Sequence, residues 1–433
     1  MAASFPTTLQ QAVRDYGSKI CAFQPNARLF LLHIVISGAA MGVFRLLFNF
    51  FVLSLGYNEA LLGNLVTVSS LMALLAALPL GYLADLLGRK RSLLAATFIE
   101  ALAILLMVAY PSAAMFLAMS ALSGLGQSLA GVTMAPFLME NSSEQERTYL
   151  FSISSGLQMT MASVGNWVGG YLPSWLAIPL RTAPTDASAY GAALLIISAG
   201  LLFSLLPLGA VRTRPVVRSQ RALFAPLATF RQQPALLVRL IAPMLITSIG
   251  AGLIMPFMNV FYRQVYGQSD PVIGALFAWG SLWMGIGLLL APPLADRWGK
   301  MNLVIGSQAL SIPFLVLMGF APHFWISAVA YYIRLALMNM SSPVYQTFVM
   351  ERVEPTARAT VSSLVNMAWN FGWAFSPTLS GWLQVRYGFA PPFIGTILLY
   401  SLAIALYWLF FGGHSERQGL VMGSSTPPTD SPM

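Results

Sequence analysis

Three ionisable residues sit inside stretches of the sequence otherwise built from apolar side chains: Arg45, Glu100 and Arg334. A charge within such a stretch costs a few kcal/mol if the stretch crosses a bilayer, so it is kept for a function or for a partner. A guanidinium presents a planar fork of donors that fits a carboxylate or phosphate group through charge-assisted hydrogen bonds. Arg45 and Arg334 are therefore read as candidate anion-binding residues. A buried carboxyl group is suited to taking up and releasing a proton, which makes Glu100 the candidate for proton coupling. Each residue also has a plainer reading, in which it satisfies backbone carbonyls or neutralises a neighbour.

Further polar and aromatic side chains are scattered through the same apolar background. Asn49, Gln127, Gln158, Asn166, Asn259, Trp283, Asn339, Gln346, Asn366, Trp369, Asn370 and Trp373 are candidate contacts for a solute. In "NMAWNFGW", Asn366, Asn370 and Trp373 fall near one helix face at spacings of four and three. Asn with Trp suits sugars or amphipathic organic molecules, and it equally suits packing between helices. Met255, Met258, Met338 and Met340 add adaptable apolar surface.

Composition identifies the elements that must carry these residues. The 433 residues are 57% hydrophobic and only 9% charged, and the mean hydropathy is +0.72. Apolar runs of about 20 residues, enough to cross a bilayer, recur along almost the whole chain. A soluble core has no use for so many helices that are apolar all round. The reading is an all-α integral membrane protein with twelve transmembrane helices. The expected spans are 29–55, 60–84, 92–110, 112–138, 148–172, 188–210, 236–262, 270–294, 301–321, 323–350, 358–384 and 389–412. On this reading Arg45 and Arg334 each lie roughly 15 Å from the outer end of their span, near the midplane.

The flanking segments complete a five-part organisation. Residues 1–28 form an N-terminal cytoplasmic or interfacial segment, with "TLQQAVRDYGSKI" as a short amphipathic helix, and 29–210 form the first six-helix bundle. Residues 211–235 are a cytoplasmic linker, 236–412 the second bundle, and 413–433 a cytoplasmic tail expected to be disordered.

The formal charge of +9 does not indicate a nucleic-acid binder, because the basic residues cluster beside helix ends without interleaved aromatics. They orient the chain instead. With both termini cytoplasmic, only Arg181, Arg263 and Arg386 fall on the outer side. That orientation puts the Asn141-Ser142-Ser143 glycosylation pattern inside, where it is not modified. The single Cys21 excludes an intramolecular disulfide, and His33, His323 and His414 form no ligand motif, so neither a metal nor another cofactor is expected. No nucleophile–base constellation argues for an enzyme, and no phosphate-binding Gly-x-x-x-x-Gly-Lys-(Ser/Thr) sequence argues for ATP-driven work.

The chain also repeats itself. "LADLLGRK" at 83–90 matches "LADRWGKM" at 294–301, an offset of 211 that aligns Asp85 with Asp296 and Gly88 with Gly299. The same offset aligns Gly56 with Gly267, Gly63 with Gly274, Glu140 with Glu351, Arg147 with Arg358 and Gly170 with Gly381. One ungapped offset carried by Asp, Glu, Arg and Gly implies two pseudo-symmetric six-helix bundles in parallel orientation.

These residues resemble a known signature. Gly81, Asp85, Gly88, Arg89 and Lys90 fit the loop between the second and third helices of the major facilitator superfamily, with Leu86 in place of an expected basic residue. The second copy keeps Asp296, Arg297, Gly299 and Lys300, with Pro292 replacing the first glycine. "GNWVGGYLP" resembles the glycine-rich fifth helix of antiporter-type members, where Gly165, Gly169 and Gly170 would permit close helix contact. "SALSGLGQSLAG" departs from the fourth-helix signature, with Ser120 where an arginine is expected.

The resemblance implies a transporter of small-molecule solutes, monomeric, in the plasma (inner) membrane, working by alternating access. It implies that the first, fourth, seventh and tenth spans line a central cavity. It also implies that Asp85 and Arg89 act in gating, and Glu140 with Arg147 and Glu351 with Arg358 are expected to complete the cytoplasmic charge networks. The absence of an acid at the middle of those four spans weighs against a proton antiporter of cationic drugs. Polyspecific efflux, uptake of an anionic or sugar-like solute, and a non-transporting sensor on the same fold are the open alternatives.

Overall fold

The computed structural model describes residues 24–142, 144–212, 234–352 and 358–412. The expectations for the amphipathic N-terminal helix, most of the linker and the tail fall outside them. So do the side chains of Arg147, Arg358 and Asn366. Among the described residues the elements are helices throughout: α1 (Pro25–Ser54), α2 (Glu59–Leu87), α3 (Arg89–Ala109), α4 (Ala113–Glu140), α5 (Glu144–Leu180) and α6 (Ala187–Ala210) in the first repeat. The second holds α7 (Pro234–Ile254), a 3-10 turn (Met255–Phe257), α8 (Met258–Tyr266), α9 (Asp270–Trp298), α10 (Lys300–Phe320), α11 (Phe324–Arg352), α12 (Arg358–Trp373), α13 (Ser376–Tyr387) and α14 (Ala390–Phe411).

Nine helical stretches among the described residues are long and apolar enough to cross a membrane: α1–α4, α6, the α7–α8 pair over Leu237–Tyr266, α9, α10 and α14. Outside that set, α5 carries Gln158 and Asn166 and α11 carries Arg334, Asn339 and Gln346, while α12 and α13, with 16 and 12 residues, are the two short pieces of the broken eleventh span. The chain is an integral membrane protein.

Two expected spans are broken. The seventh is interrupted at Met255–Phe257, where Pro256 cannot donate to the preceding turn. The eleventh is interrupted between Trp373 and Ser376, just before Pro377, which sits at the second position of α13. The fifth helix is longer than expected, running from Glu144 to Leu180.

Helix ends follow local chemistry. The Asn58 side chain caps α2 by accepting from the Leu61 amide at 3.3 Å, and Ser112 caps α4 through the Met115 amide at 3.3 Å. The repeat is written into the backbone as well. Gly88 and Gly299 turn their loops at φ +87° and +83°, and Gly56 and Gly267 have φ +87° and +62°, conformations that strain any residue with a Cβ.

The described residues fall into two compact units. The first contains 24–212 together with Pro256–Ser281 and Pro377–Arg386; the second contains 234–255, Leu282–Ser376 and 387–412. Both broken helices therefore break where one unit gives way to the other.

Within the first unit, α1 lies directly against α5. A Cβ on Gly42 would collide with the Ala162 carbonyl and one on Gly165 with the Ala39 carbonyl, while one on Gly169 would lie 3.1 Å from Val43. Lipid is as apolar as leucine, so helices in a bilayer are held by such close approach rather than by the hydrophobic effect. Phe30, Leu93, Phe137, Leu150 and Leu208 fill one end of this unit. In the second unit the core is formed by Leu240, Val304, Phe348, Val349 and Tyr407, and the Tyr345 hydroxyl donates to the Leu240 carbonyl.

Candidate functional site

The first unit holds a charged cluster within the membrane-spanning region. Glu100 on α3 is buried. Its Oε2 accepts from the Ser123 hydroxyl of α4 at 2.8 Å, and Gln127, one turn further along α4, donates to that same hydroxyl at 3.1 Å. The other carboxyl oxygen, Oε1, is buried without a hydrogen-bond partner. Arg45 of α1 is the opposite charge coupled to this carboxyl group. It is not in ion-pair contact with any carboxylate among the described residues, and its side chain is exposed although it lies deep in a membrane-spanning helix.

This arrangement links three helices by groups of different duty. Ser123 holds one oxygen of Glu100, Gln127 stands behind Ser123 at the same carboxyl group, and Oε1 is the oxygen without a hydrogen bond among the described residues. A buried polar atom in that condition is an expensive feature that a proton or a ligand donor would relieve. The third span, which is not among the four implied to line a cavity, thus contributes a carboxyl group to a buried polar cluster. Sequence separation hid the link: Arg45, Glu100 and Ser123 lie on three different helices.

Arg334 of α11 belongs to the second unit and has different surroundings. It is 2% exposed, donates to the Tyr400 hydroxyl at 3.3 Å and lies 5.5 Å from the centre of that ring. Its Nε has no partner, and no carboxylate among the described residues neutralises it. A buried guanidinium with no neutralising carboxylate among the described residues is costly unless something else pairs with it.

The other candidates divide by environment. Gln127, Gln158, Trp283, Trp369 and Asn370 are exposed, and Trp283 stacks on Tyr332 with ring centres 6.2 Å apart. Asn339 is turned back onto its own helix, donating to the Leu335 carbonyl at 2.8 Å. The Trp373 Nε1 is buried without a partner. Asn49 and Asn259, named separately as solute contacts, instead bond each other at 2.9 Å in the first unit.

The repeated loop carries a repeated ion pair. Arg89, the first residue of α3, pairs with Asp85 and reaches Glu140, the last residue of α4, at 3.5 Å. At the equivalent positions of the second unit, Lys300 pairs with Glu351. The planar guanidinium can serve two carboxylates; the lysine serves one, and Asp296 is exposed. Glu140 reaches Arg89, the basic residue that opens the preceding helix, and the side chain of Arg147 lies outside the described residues. Lys90 extends to the Gly209 carbonyl at 2.5 Å, placing a cation on the open carbonyl end of α6. Gly81 faces open space, and Arg297 is exposed.

Comparison with known proteins agrees with this architecture. The family model of the Major Facilitator Superfamily matches residues 29–377 and, in a second match, 244–424. The multidrug resistance protein MdtG of Enterobacter lignolyticus (strain SCF1) is 24% identical over 390 residues, covering 86% of this chain and 89% of that protein. MdtG of Dickeya zeae (strain Ech586) is 24% identical over 194 residues, 43% of this chain and 47% of that one. Among solved structures, a bacterial homologue of the human lysosomal transporter Spinster, inward-facing and occupied, superposes with a TM-score of 0.75 at 14% identity, covering 94% of this chain and 100% of that one. The nucleoside transporter NupG superposes with a TM-score of 0.70 at 14% identity, covering 93% and 100%. These likenesses establish the fold, and the family match spans both repeats. The chain belongs to the Major Facilitator Superfamily, and it is a transporter of small-molecule solutes rather than an enzyme.

Proposed function

We propose that the chain is a proton-coupled secondary transporter that moves an organic anion by alternating access. The single observation that carries this reading is the cluster of Arg45, Glu100, Ser123 and Gln127, with one carboxyl oxygen buried and unpartnered. Glu100 is the proton carrier and Arg45 the cation that meets the solute. A solute anion at Arg45 weakens the attraction between Arg45 and the ionised carboxyl group, and so favours a proton on Glu100. Proton binding and solute binding are then linked through one charge pair. Arg334 supplies a second site of the same chemistry in its own unit.

The printed name of the MdtG relatives, multidrug resistance protein, supports a wide choice of cargo. We further propose twelve spans with both termini cytoplasmic, in the plasma (inner) membrane, and a monomer as the working unit. In that topology the Asp85–Arg89–Glu140 and Lys300–Glu351 clusters lie on the cytoplasmic side, where Asp85 and Arg89 bias the exchange between accessibility states.

The test is flux into proteoliposomes of the purified protein, with and without a pH gradient, across a panel of organic anions, sugars and hydrophobic cations. The expected result is gradient-driven movement of anions that Arg45→Ala abolishes. Sugar or cation transport unaffected by Arg45→Ala would overturn the anion assignment, and no transport of any solute would favour the sensor.

A further inference from the structure

The end of the second unit that holds the Lys300–Glu351 pair also holds a cation without an acid. Arg352, the last residue of α11, follows Glu351 directly, and Glu351 is taken by Lys300. The Arg352 guanidinium instead lies 4.2 Å from the centre of the Phe348 ring and 5.7 Å from that of Phe411 on α14. The two rings are buried and meet edge to face with centres 5.2 Å apart. Stacking occupies the face of a guanidinium and leaves the N–H donors around its edge available to an oxyanion. Among the described residues no carboxylate pairs with Arg352.

The repeat shows a closed version of the same position. The offset that aligns Glu140 with Glu351 also aligns Asn141 with Arg352 and Phe137 with Phe348. In the first unit the chain satisfies Asn141, which accepts from the Asn26 side chain at 2.8 Å and donates to the Phe137 carbonyl at 2.9 Å. Asn26 also donates to the Arg212 carbonyl at 2.8 Å and accepts from the Arg212 amide at 2.9 Å, so amides staple the starts and ends of α1, α4 and α6 at that point. At the offset from Asn26 the second unit has Leu237, which is buried and has no side-chain donor. Where the first unit has an internal hydrogen bond, the second has a half-buried cation with donors to spare.

The surroundings are those of a membrane boundary. The 22 apolar residues of α14 end at Phe411, about the length that crosses the hydrocarbon, so Arg352 beside Phe411 lies at headgroup depth. Trp408, 61% exposed, stands one turn before that end, where an indole favours the interface. Leu398, Leu402 and Leu409 are exposed on the same helix and offer apolar surface to acyl chains. A second cation, Arg239, is exposed on α7. It precedes Leu240, whose carbonyl accepts from Tyr345, and the Tyr345 ring packs 5.2 Å from Tyr407 of α14. Basic groups at a junction of helices at this depth suit the phosphate of an anionic lipid.

We propose that Arg352, seated on Phe348 and Phe411, binds the headgroup phosphate of an anionic phospholipid, with Arg239 adding charge and Trp408 bordering the site. The lipid gives the ends of α11 and α14 the polar closure that Asn26 gives the first unit. This proposal rests on the membrane fold and is independent of the anion-transport reading.

The test is the melting temperature of the full-length protein in detergent, titrated with dioleoylphosphatidylglycerol, with dioleoylphosphatidylcholine or with free glycerol phosphate. Phosphatidylglycerol is expected to raise it by several degrees more than phosphatidylcholine does, as a ligand of the native state should. Free glycerol phosphate is expected to give no rise that depends on Arg352. In Arg352→Gln about tenfold more phosphatidylglycerol should be needed for the same rise, the effect of losing one charge-assisted contact. Each variant is compared with its own lipid-free melting temperature, so a change in intrinsic stability does not enter. Arg91→Gln, at an exposed arginine of the first unit, should titrate like the parent. Equal responses to the two lipids, an Arg352→Gln that titrates like the parent, or an Arg91→Gln as impaired as Arg352→Gln would overturn the site. A response to free glycerol phosphate that Arg352→Gln removes would make the occupant a soluble phosphate and overturn the lipid.

Discussion

Replacing Glu100 with glutamine isolates its proton from its packing. The amide oxygen can still accept from Ser123, so the change exchanges a charge-assisted hydrogen bond for a neutral one, a loss of about 1 kcal/mol. The second buried oxygen, Oε1, has no partner to lose. Glu100→Gln should therefore fold and insert, with a melting temperature within a few degrees of the parent. Its coupling should disappear. With one proton per solute, a pH difference of one unit corresponds to about 1.4 kcal/mol and an accumulation ratio of about tenfold. In proteoliposomes the parent is expected to build that ratio, in the direction set by the gradient, while Glu100→Gln stays near one. Exchange of labelled for unlabelled solute should persist in the variant, because it needs no net proton movement. A tenfold ratio in Glu100→Gln would refute the assignment of the proton to this carboxyl group.

Other perturbations read other parts of the molecule. Asp85→Asn, which removes one of the two carboxylates on Arg89, should slow turnover while leaving solute affinity in detergent within a few-fold; unchanged turnover would remove Asp85 from gating. Gly165→Val drives side-chain atoms into the α1 backbone at Ala39, at a cost above the ~1–3 kcal/mol of ordinary overpacking, and should abolish the monodisperse protein on size exclusion. Gly81→Ala, facing open space, should not. Arg334→Met fills the same buried volume without an unpaired charge, so thermal stability should hold or rise while anion flux falls about tenfold or more. A loss of stability with flux intact would make Arg334 a packing residue.

The duplicated features were readable because they depend on local residue type. The spacing of Asp, Glu and Gly at one offset exposed the two halves, and four glycines so aligned, Gly56, Gly88, Gly267 and Gly299, have positive φ. The glycines of the fifth helix named a close contact; Gly165 and Gly169 meet α1 at Ala39 and Val43, and Gly170 meets the Asp270–Pro271 backbone at the start of α9. What escaped is what depends on approach between distant segments. Glu140 reaches Arg89, which is far from it in sequence and which the fold of α3 against α4 brings to it. Glu100 looked solitary because Arg45 and Ser123 come from other helices. Asn49 and Asn259 were read singly, and the hydrogen bond between them depends on the approach of α8 to α1. The break at Met255–Phe257 was marked by Pro256, but a proline inside a span is common enough that only the fold distinguishes a kink from a hinge.

The most direct test of the whole account is the initial rate of organic-anion entry into proteoliposomes holding the purified protein and no nucleotide, beside protein-free vesicles and Arg45→Ala. The account predicts saturable uptake by the parent, at least tenfold slower uptake with Arg45→Ala, and only leakage in the empty vesicles. Uptake by the parent indistinguishable from empty vesicles, or uptake that Arg45→Ala leaves intact, would contradict it.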